Sequence, residues 1–265
     1  ALAREAREAM SSAASEADEA DEGTTVTALT HPAGWAVAQP TMGKLADRFG
    51  PKKVFLTGLV VVGVEFRNSG GALGPHPFPA GLNDGAAAVR WTAAHKDELG
   101  ISHLIVSGES GGGNLTLTVA LKAKREGWID EIAGVYAQCP YISNRWLEDA
   151  EDLPSLREND GYFISCLQLA LLGSIYDPDQ QHAQDGTCWA GAATSVELEG
   201  LPPHVISVNE LDPLRDEGAA YADALVNAGV TVKYHPGEGL IHGYFGLGDA
   251  SAAARAEAQD RKSTR

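Results

Sequence analysis

The sequence predicts an α/β fold: one doubly wound, mainly parallel sheet flanked by helices. Three observations carry this. Short runs of β-branched and apolar side chains alternate along the chain with segments whose apolar residues recur at helical spacing. The apolar runs are continuous rather than alternating, as in strands buried on both faces. A length of 265 residues with 44% hydrophobic side chains suffices for one large buried sheet and is short for two.

Residues 1–22 are alanine-rich and acidic and read as a solvated tail. Strands follow at 24–30 (TTVTALT) and 59–66 (LVVVGVEF), and their continuous apolar character implies a parallel sheet. A helix starts near Leu82, with Leu82, Ala86, Val89 and Ala93 on one face and Asn83 and Asp84 suited to its first turn. The pattern repeats as strand 103–107, helix 111 to about 125, strand 133–137, strand 204–208, helix 214–228 and strand 230–234. Residues 140–203 show one evident helix, at 163–172, and read as an insertion over the strand ends. The organisation expected is therefore a tail at 1–22, one domain at 23–248 containing that insertion, and a C-terminal helix or tail at 249–265.

A net charge of −16 and a pI near 4.8 argue against nucleic acid as a partner, since a phosphate backbone would be repelled over most of the surface. Cys139, Cys166 and Cys188 form no C-x-x-C pair, so neither a disulfide framework nor a zinc ribbon is suggested, and they read as small buried hydrophobes. The first residues lack the apolar core of a secretory signal, which gives a cytoplasmic expectation. The longest strongly apolar run, 54–64, is about half of what a helix needs to cross a bilayer. No membrane, cofactor or metal is expected.

The chemistry is concentrated at Gly108-Glu109-Ser110-Gly111-Gly112, a G-x-S-x-G that directly follows an apolar strand and directly precedes a helix. That context suits a sharp turn that lifts a serine hydroxyl clear of a sheet, with glycines at 108 and 112 where side chains would collide with backbone. A serine is a weak nucleophile until an imidazole takes its proton, and a third group must fix that imidazole's tautomer. In such folds the order is Ser, Asp or Glu, then His. Asp212 follows strand 204–208 within NELDPLRDEG, where ligands bind in open α/β sheets. Glu210, Asp216 and Glu217 compete with it but fall at the strand end or inside the next helix. His242 lies on a glycine-flanked segment, GLIHG, one helix and one strand later. His235 is its nearest rival, and the remaining six histidines lack the order or the place.

GESGGGN, NELDPLRDEG and GLIHG together resemble the hormone-sensitive lipase family of α/β-hydrolase esterases, and VGVEFRN, HPFPAGLNDGAAAVRW, VYAQCPYIS and PSLRENDGYF extend the likeness over roughly residues 59–245. The resemblance implies hydrolysis of a carboxylic ester through an acyl-enzyme, with Ser110, Asp212 and His242 as the triad. It also implies an upstream H-G-G-G loop whose N–H groups stabilise the oxyanion. His31-Pro32-Ala33-Gly34-Trp35 stands in that place, so Ala33 and Gly34 would be the donors beside Gly111, while Pro32 has no N–H to give. Losing one such donor typically slows catalysis about 100- to 1,000-fold.

Only thirty residues precede His31, so the family's N-terminal cap helices and first two strands have no evident counterpart. Residues 43–53 (GKLADRFGPKK) resemble a loop motif of major-facilitator transporters, but the flanking apolar segments are too short to span. The expectation is a serine carboxylesterase, monomeric or homodimeric, acting on a short-chain or lactone ester. Trp35, Tyr162, Trp189 and Tyr244 are candidates to line its pocket. The alternative is a catalytically weak binding protein for small molecules on the same scaffold, a type in which the histidine is lacking.

Overall fold

The computed structural model describes residues 25–29 (backbone only), 60–70 and 74–243. Expectations placed on residues 1–22, on the loop 31–35 with Ala33 and Gly34, on 43–53, and on Tyr244 and the segment 249–265 lie outside these residues.

Two compact units are distinguishable. The first contains strands β1 (Thr25–Leu29) and β2 (Val61–Glu65), residues 87–94 of helix α1 (Ala80–Ala94) and helix α2 (Lys96–Leu99). The two strands pair antiparallel, with Thr25 opposite Glu65 and Leu29 opposite Val61. This corrects the parallel arrangement expected from their apolar runs. Residues 61–64 are only partly buried and Glu65 is exposed, and an antiparallel pair tolerates a wet face where a parallel one does not. Helix α1 begins at Ala80, two residues before its first periodic leucine, so Asn83 and Asp84 follow the first turn instead of forming it. Asp84 is fully buried.

The second unit holds a four-stranded sheet in the order β3 (Ile105–Glu109), β4 (Gly134–Gln138), β5 (His204–Leu211) and β6 (Val232–Ile241), every pair parallel. Parallel neighbours demand a crossover between them. Helix α3 (Gly111–Glu126) crosses from β3 to β4 and packs on both, and helix α7 (Arg215–Asn227) does the same between β5 and β6. Helix α3 buries Leu117, Val119, Ala120, Leu121 and Ala123, carries Lys124 and Arg125 at its negative C-terminal end, and stops at Gly127 with φ 80°.

Residues 140–203 hold more structure than one helix: α4 (Ser155–Glu158), α5 (Cys166–Tyr176) and α6 (Ser195–Leu198), with short 3-10 turns. Helix α5 opens on a capping box between Ser165 and Gln168, and α6 on one between Thr194 and Glu197. An aromatic core fixes the segment. Tyr141 stacks on Trp146 at 4.1 Å, and Trp189 meets Tyr141, Trp146 and Tyr176 edge-on. The Trp189 indole donates to the buried Asp177 carboxylate at 3.1 Å, so this residue is core and not pocket wall. Cys139, Cys166 and Cys188 are buried and free, and burial first of all pushes the Cys166 thiol up to about 12.

Strand β6 runs past Tyr234, where apolar character ends, through Pro236 to Ile241. It is the last strand of the described sheet, where proline is tolerated. Its register with β5 slips between Asn209 opposite Gly237 and Leu211 opposite Ile241, so extra β6 residues bulge out beside β5.

Candidate active site

Ser110 sits between β3 and α3 with φ 57° and ψ −118°, a conformation that L-residues rarely adopt. Its N–H donates to the Gln138 carbonyl at 2.9 Å, and its own carbonyl accepts from the Asn114 and Tyr141 N–H groups. The first turn of α3 and the end of β4 thus hold the turn between them. Gly108 is required sterically: a Cβ there would lie 2.2 Å from the Gly112 carbonyl oxygen and 2.7 Å from Thr116 Oγ1. Gly112 is not, because a Cβ on it meets nothing within 4 Å. The tight partner is Gly113, whose Cβ would stand 3.1 Å from the Gln138 oxygen and from Pro140. The helix start presses its third glycine, not its second, against β4. Gly111 is the first residue of α3, where an amide has no acceptor one turn earlier in the helix.

Asp212 immediately follows β5 and is wholly buried. One carboxylate oxygen accepts from the Leu214 N–H at 2.9 Å, and the other faces His242 Nδ1 at 2.8 Å. The competing carboxylates are engaged elsewhere. Glu210 accepts from the Gly239 N–H at 2.8 Å, while Asp216 pairs with Arg215 and accepts from the Ser155 N–H at 2.6 Å. Glu217 accepts from the Ile142 N–H at 2.6 Å, the Trp146 indole at 3.1 Å and the Ser143 hydroxyl. Burial outweighs these donors and lifts the Glu217 carboxyl to about 7, with the nearby Asp212 charge adding to the rise.

His242 turns out of the end of β6, where the Asn209 side chain donates to the Ile241 carbonyl at 2.7 Å. Its Nε2 lies 2.8 Å from Ser110 Oγ. Burial works against protonation of this ring, but the Asp212 hydrogen bond and charge, aided by Glu109 and Glu217, outweigh it, and the pKa is raised above its ordinary value. The structure therefore joins Ser110, His242 and Asp212 in one continuous hydrogen-bonded chain. His235 lies within β6 opposite Ser207, and His204 is buried in β5 with its pKa lowered to about 4 by that burial.

Cys139, Asp212 and His242 offer ligand atoms within 4.8 Å of one another. Both imidazole nitrogens already have hydrogen-bond partners, so the ring is set up to carry a proton rather than to hold a metal.

Two features escape sequence reading. Asn159, in the insertion, donates from its amide to the Glu210 carbonyl at 2.9 Å and the Asp212 carbonyl at 3.1 Å, steadying the acid's loop from outside. Phe163 lies against the turn that follows His242: its Cε1 would stand 3.5 Å from a Cβ on Gly243. Tyr162, the expected pocket residue beside it, is instead buried with Leu211 and Ile241.

With this geometry in hand, comparison with known proteins is decisive for the family. The model of the alpha/beta hydrolase fold matches residues 28–246. The chain belongs to the α/β hydrolases. Among solved structures, this α/β hydrolase is similar to brefeldin A esterase, described as a bacterial homologue of human hormone-sensitive lipase, with 50% identity and a TM-score of 0.71 over 77% of this chain and 57% of that one. It is also similar to esterase Est22, at 43% identity and a TM-score of 0.68 over 77% of this chain and 61% of that one. Esterase LipI of Mycobacterium tuberculosis is 34% identical over 200 residues, 74% of this chain and 58% of the relative. The likeness to hormone-sensitive-lipase-type esterases thus extends from short motifs to most of the chain, which spans about three-fifths of each relative's length. Among the described residues no helix is long and apolar enough to cross a membrane.

Proposed function

We propose that this α/β hydrolase is a carboxylic ester hydrolase in which Ser110, His242 and Asp212 act as a catalytic triad through an acyl-enzyme. The observation that carries the reading is the unbroken chain from Ser110 Oγ to His242 Nε2 and from Nδ1 to Asp212, at 2.8 Å in each link. Names of relatives support it: they are esterases.

Ser110 Oγ attacks the ester carbonyl carbon while His242 Nε2 takes its proton. Asp212 holds the Nδ1–H tautomer and stabilises the imidazolium that forms. The Gly111 N–H, at the positive end of α3, faces the developing oxyanion, and the N–H groups of Ala33 and Gly34 are the proposed companions. Collapse of the tetrahedral adduct breaks the bond to the alcohol, which leaves with the proton from Nε2. Water, deprotonated by the same nitrogen, then releases the acid. Residues 23–248 form the proposed catalytic domain, with 140–203 as the insertion beside the site, and short-chain or lactone esters are the proposed substrates.

The test is hydrolysis of p-nitrophenyl acetate and butyrate by the wild type and Ser110→Ala, with fluorophosphonate labelling as a second readout. Wild-type turnover and labelling, both lost in Ser110→Ala, are expected. Equal rates in the two proteins reject the reading, and binding of the esters without turnover or labelling assigns the chain to the small-molecule binding proteins of this scaffold.

A further inference from the structure

Phe163 combines three properties that packing alone does not explain. Its backbone has φ 69°, in the left-handed region that a bulky aromatic avoids. Its side chain is 59% exposed, although the preceding Tyr162 is buried with Leu211 and Ile241, the residues just before Asp212 and His242. Its ring also abuts the Gly243 turn, one residue beyond the imidazole.

The surrounding turn is held in several independent ways. The Tyr162 N–H donates to the Asn159 carbonyl at 3.1 Å, the Gly161 N–H to the Ile164 carbonyl at 3.1 Å, and the Cys166 N–H to the Asp160 carboxylate at 2.8 Å. Asn159 in turn grips the carbonyls of Glu210 and Asp212. These bonds fix the segment that carries Phe163, and the ring stands exposed against the turn that follows the base. Strained residues of this kind cluster at functional sites.

The chemistry of the proposed triad says which part of a substrate lies there. The acyl group stays on Ser110 Oγ, whereas the alcohol leaves with the proton carried by His242, so its oxygen must come within reach of Nε2. We propose that Phe163 is a specificity determinant for the alcohol portion of the ester, an apolar wall that favours aryl or benzyl alcohol groups over methyl or ethyl. This rests on the ester-hydrolase reading above.

The test holds the acyl group constant and varies the alcohol. kcat/KM is measured for phenyl, benzyl and ethyl acetate with the wild type, Phe163→Leu and Phe163→Gly. Glycine suits a φ of 69° and removes the ring without disturbing the turn, which keeps the fold intact; melting temperature monitors this. The Gly variant is expected to lose at least tenfold in kcat/KM for phenyl and benzyl acetate relative to ethyl acetate, with Leu between. The rate of deacylation, measured after the alcohol has left, and Ser110 labelling by a fluorophosphonate are expected to stay at wild-type values. Losses equal for all three alcohols overturn the proposal while leaving the esterase reading intact. A wild type that is neither labelled nor active overturns both.

Discussion

The His242 imidazole and the Asp212 carboxylate meet at 2.8 Å with the carboxylate wholly removed from solvent. Neutral His242 is the form that can accept the serine proton, and its pKa is raised because the Asp212 bond and charge overcome the opposing burial. kcat/KM is therefore expected to rise with pH through an inflection above the ordinary histidine value of about 6.5. Asp212→Asn is expected to move that inflection to lower pH and to cut kcat about 10⁴-fold by presenting the wrong tautomer. A pH-rate profile of both proteins checks this.

Glu217 provides a separate pH dependence, of stability. Its folded pKa, raised by burial to about 7, lies above its unfolded value, so the folded protein holds the extra proton between the two. That contribution is fully present below about pH 4.3 and is lost as pH rises through about 7. The wild-type melting temperature minus that of Glu217→Gln is expected to fall between pH 5 and pH 8. Glu217→Ala strands two buried donors and the half-buried Ser143 hydroxyl, and is expected to cost roughly 2–4 kcal/mol in urea unfolding at pH 7, given about 1–3 kcal/mol for each unsatisfied buried group without full additivity.

The elbow glycines separate cleanly by substitution. Gly108→Ala places a methyl 2.2 Å from the Gly112 oxygen and is expected to prevent the turn from closing, with loss of folded protein or of fluorophosphonate labelling. Gly112→Ala meets no atom and gains helix propensity, so its melting temperature is expected to equal or exceed that of the wild type, by about 0.5–1 kcal/mol in stability. Calorimetry on the two variants decides.

Asn159 acts on the acid through its loop. Asn159→Ala is expected to lower kcat/KM about 10- to 100-fold by loosening Asp212, since small misplacements of a catalytic group carry costs of that order. Asn159→Asp sets a carboxylate against two carbonyl oxygens and is expected to be worse, though it is nearly isosteric. Steady-state kinetics with p-nitrophenyl butyrate measures both.

Ser110, Asp212 and His242 are legible in the sequence because their chemistry depends on order along the chain and on strand ends that composition reveals. The strands after residue 100 are legible for the same reason, to within a few residues, except that β6 outlasts its apolar run. The antiparallel pairing of β1 and β2 is not legible, since a five-residue apolar run carries no direction. Nor is the difference between Gly112 and Gly113, which depends on where Gln138 and Pro140 of another segment pass. Phe163 and Asn159 are hidden for a related reason: one matters through a backbone dihedral and the other through carbonyls about fifty residues away.

The Asn159 bridge has an evolutionary consequence. Because the segment that presents Phe163 also fastens the carbonyl of Asp212 through Asn159, a change that replaces the segment as a whole is felt by the proposed proton-transfer chain. Under the proposed reading, exchanging the Phe163 side chain alone alters selectivity, whereas exchanging the whole segment alters turnover as well, through Asn159. An insertion transplanted from a relative must bring an equivalent amide at position 159, or the borrowed specificity will arrive with a weakened base.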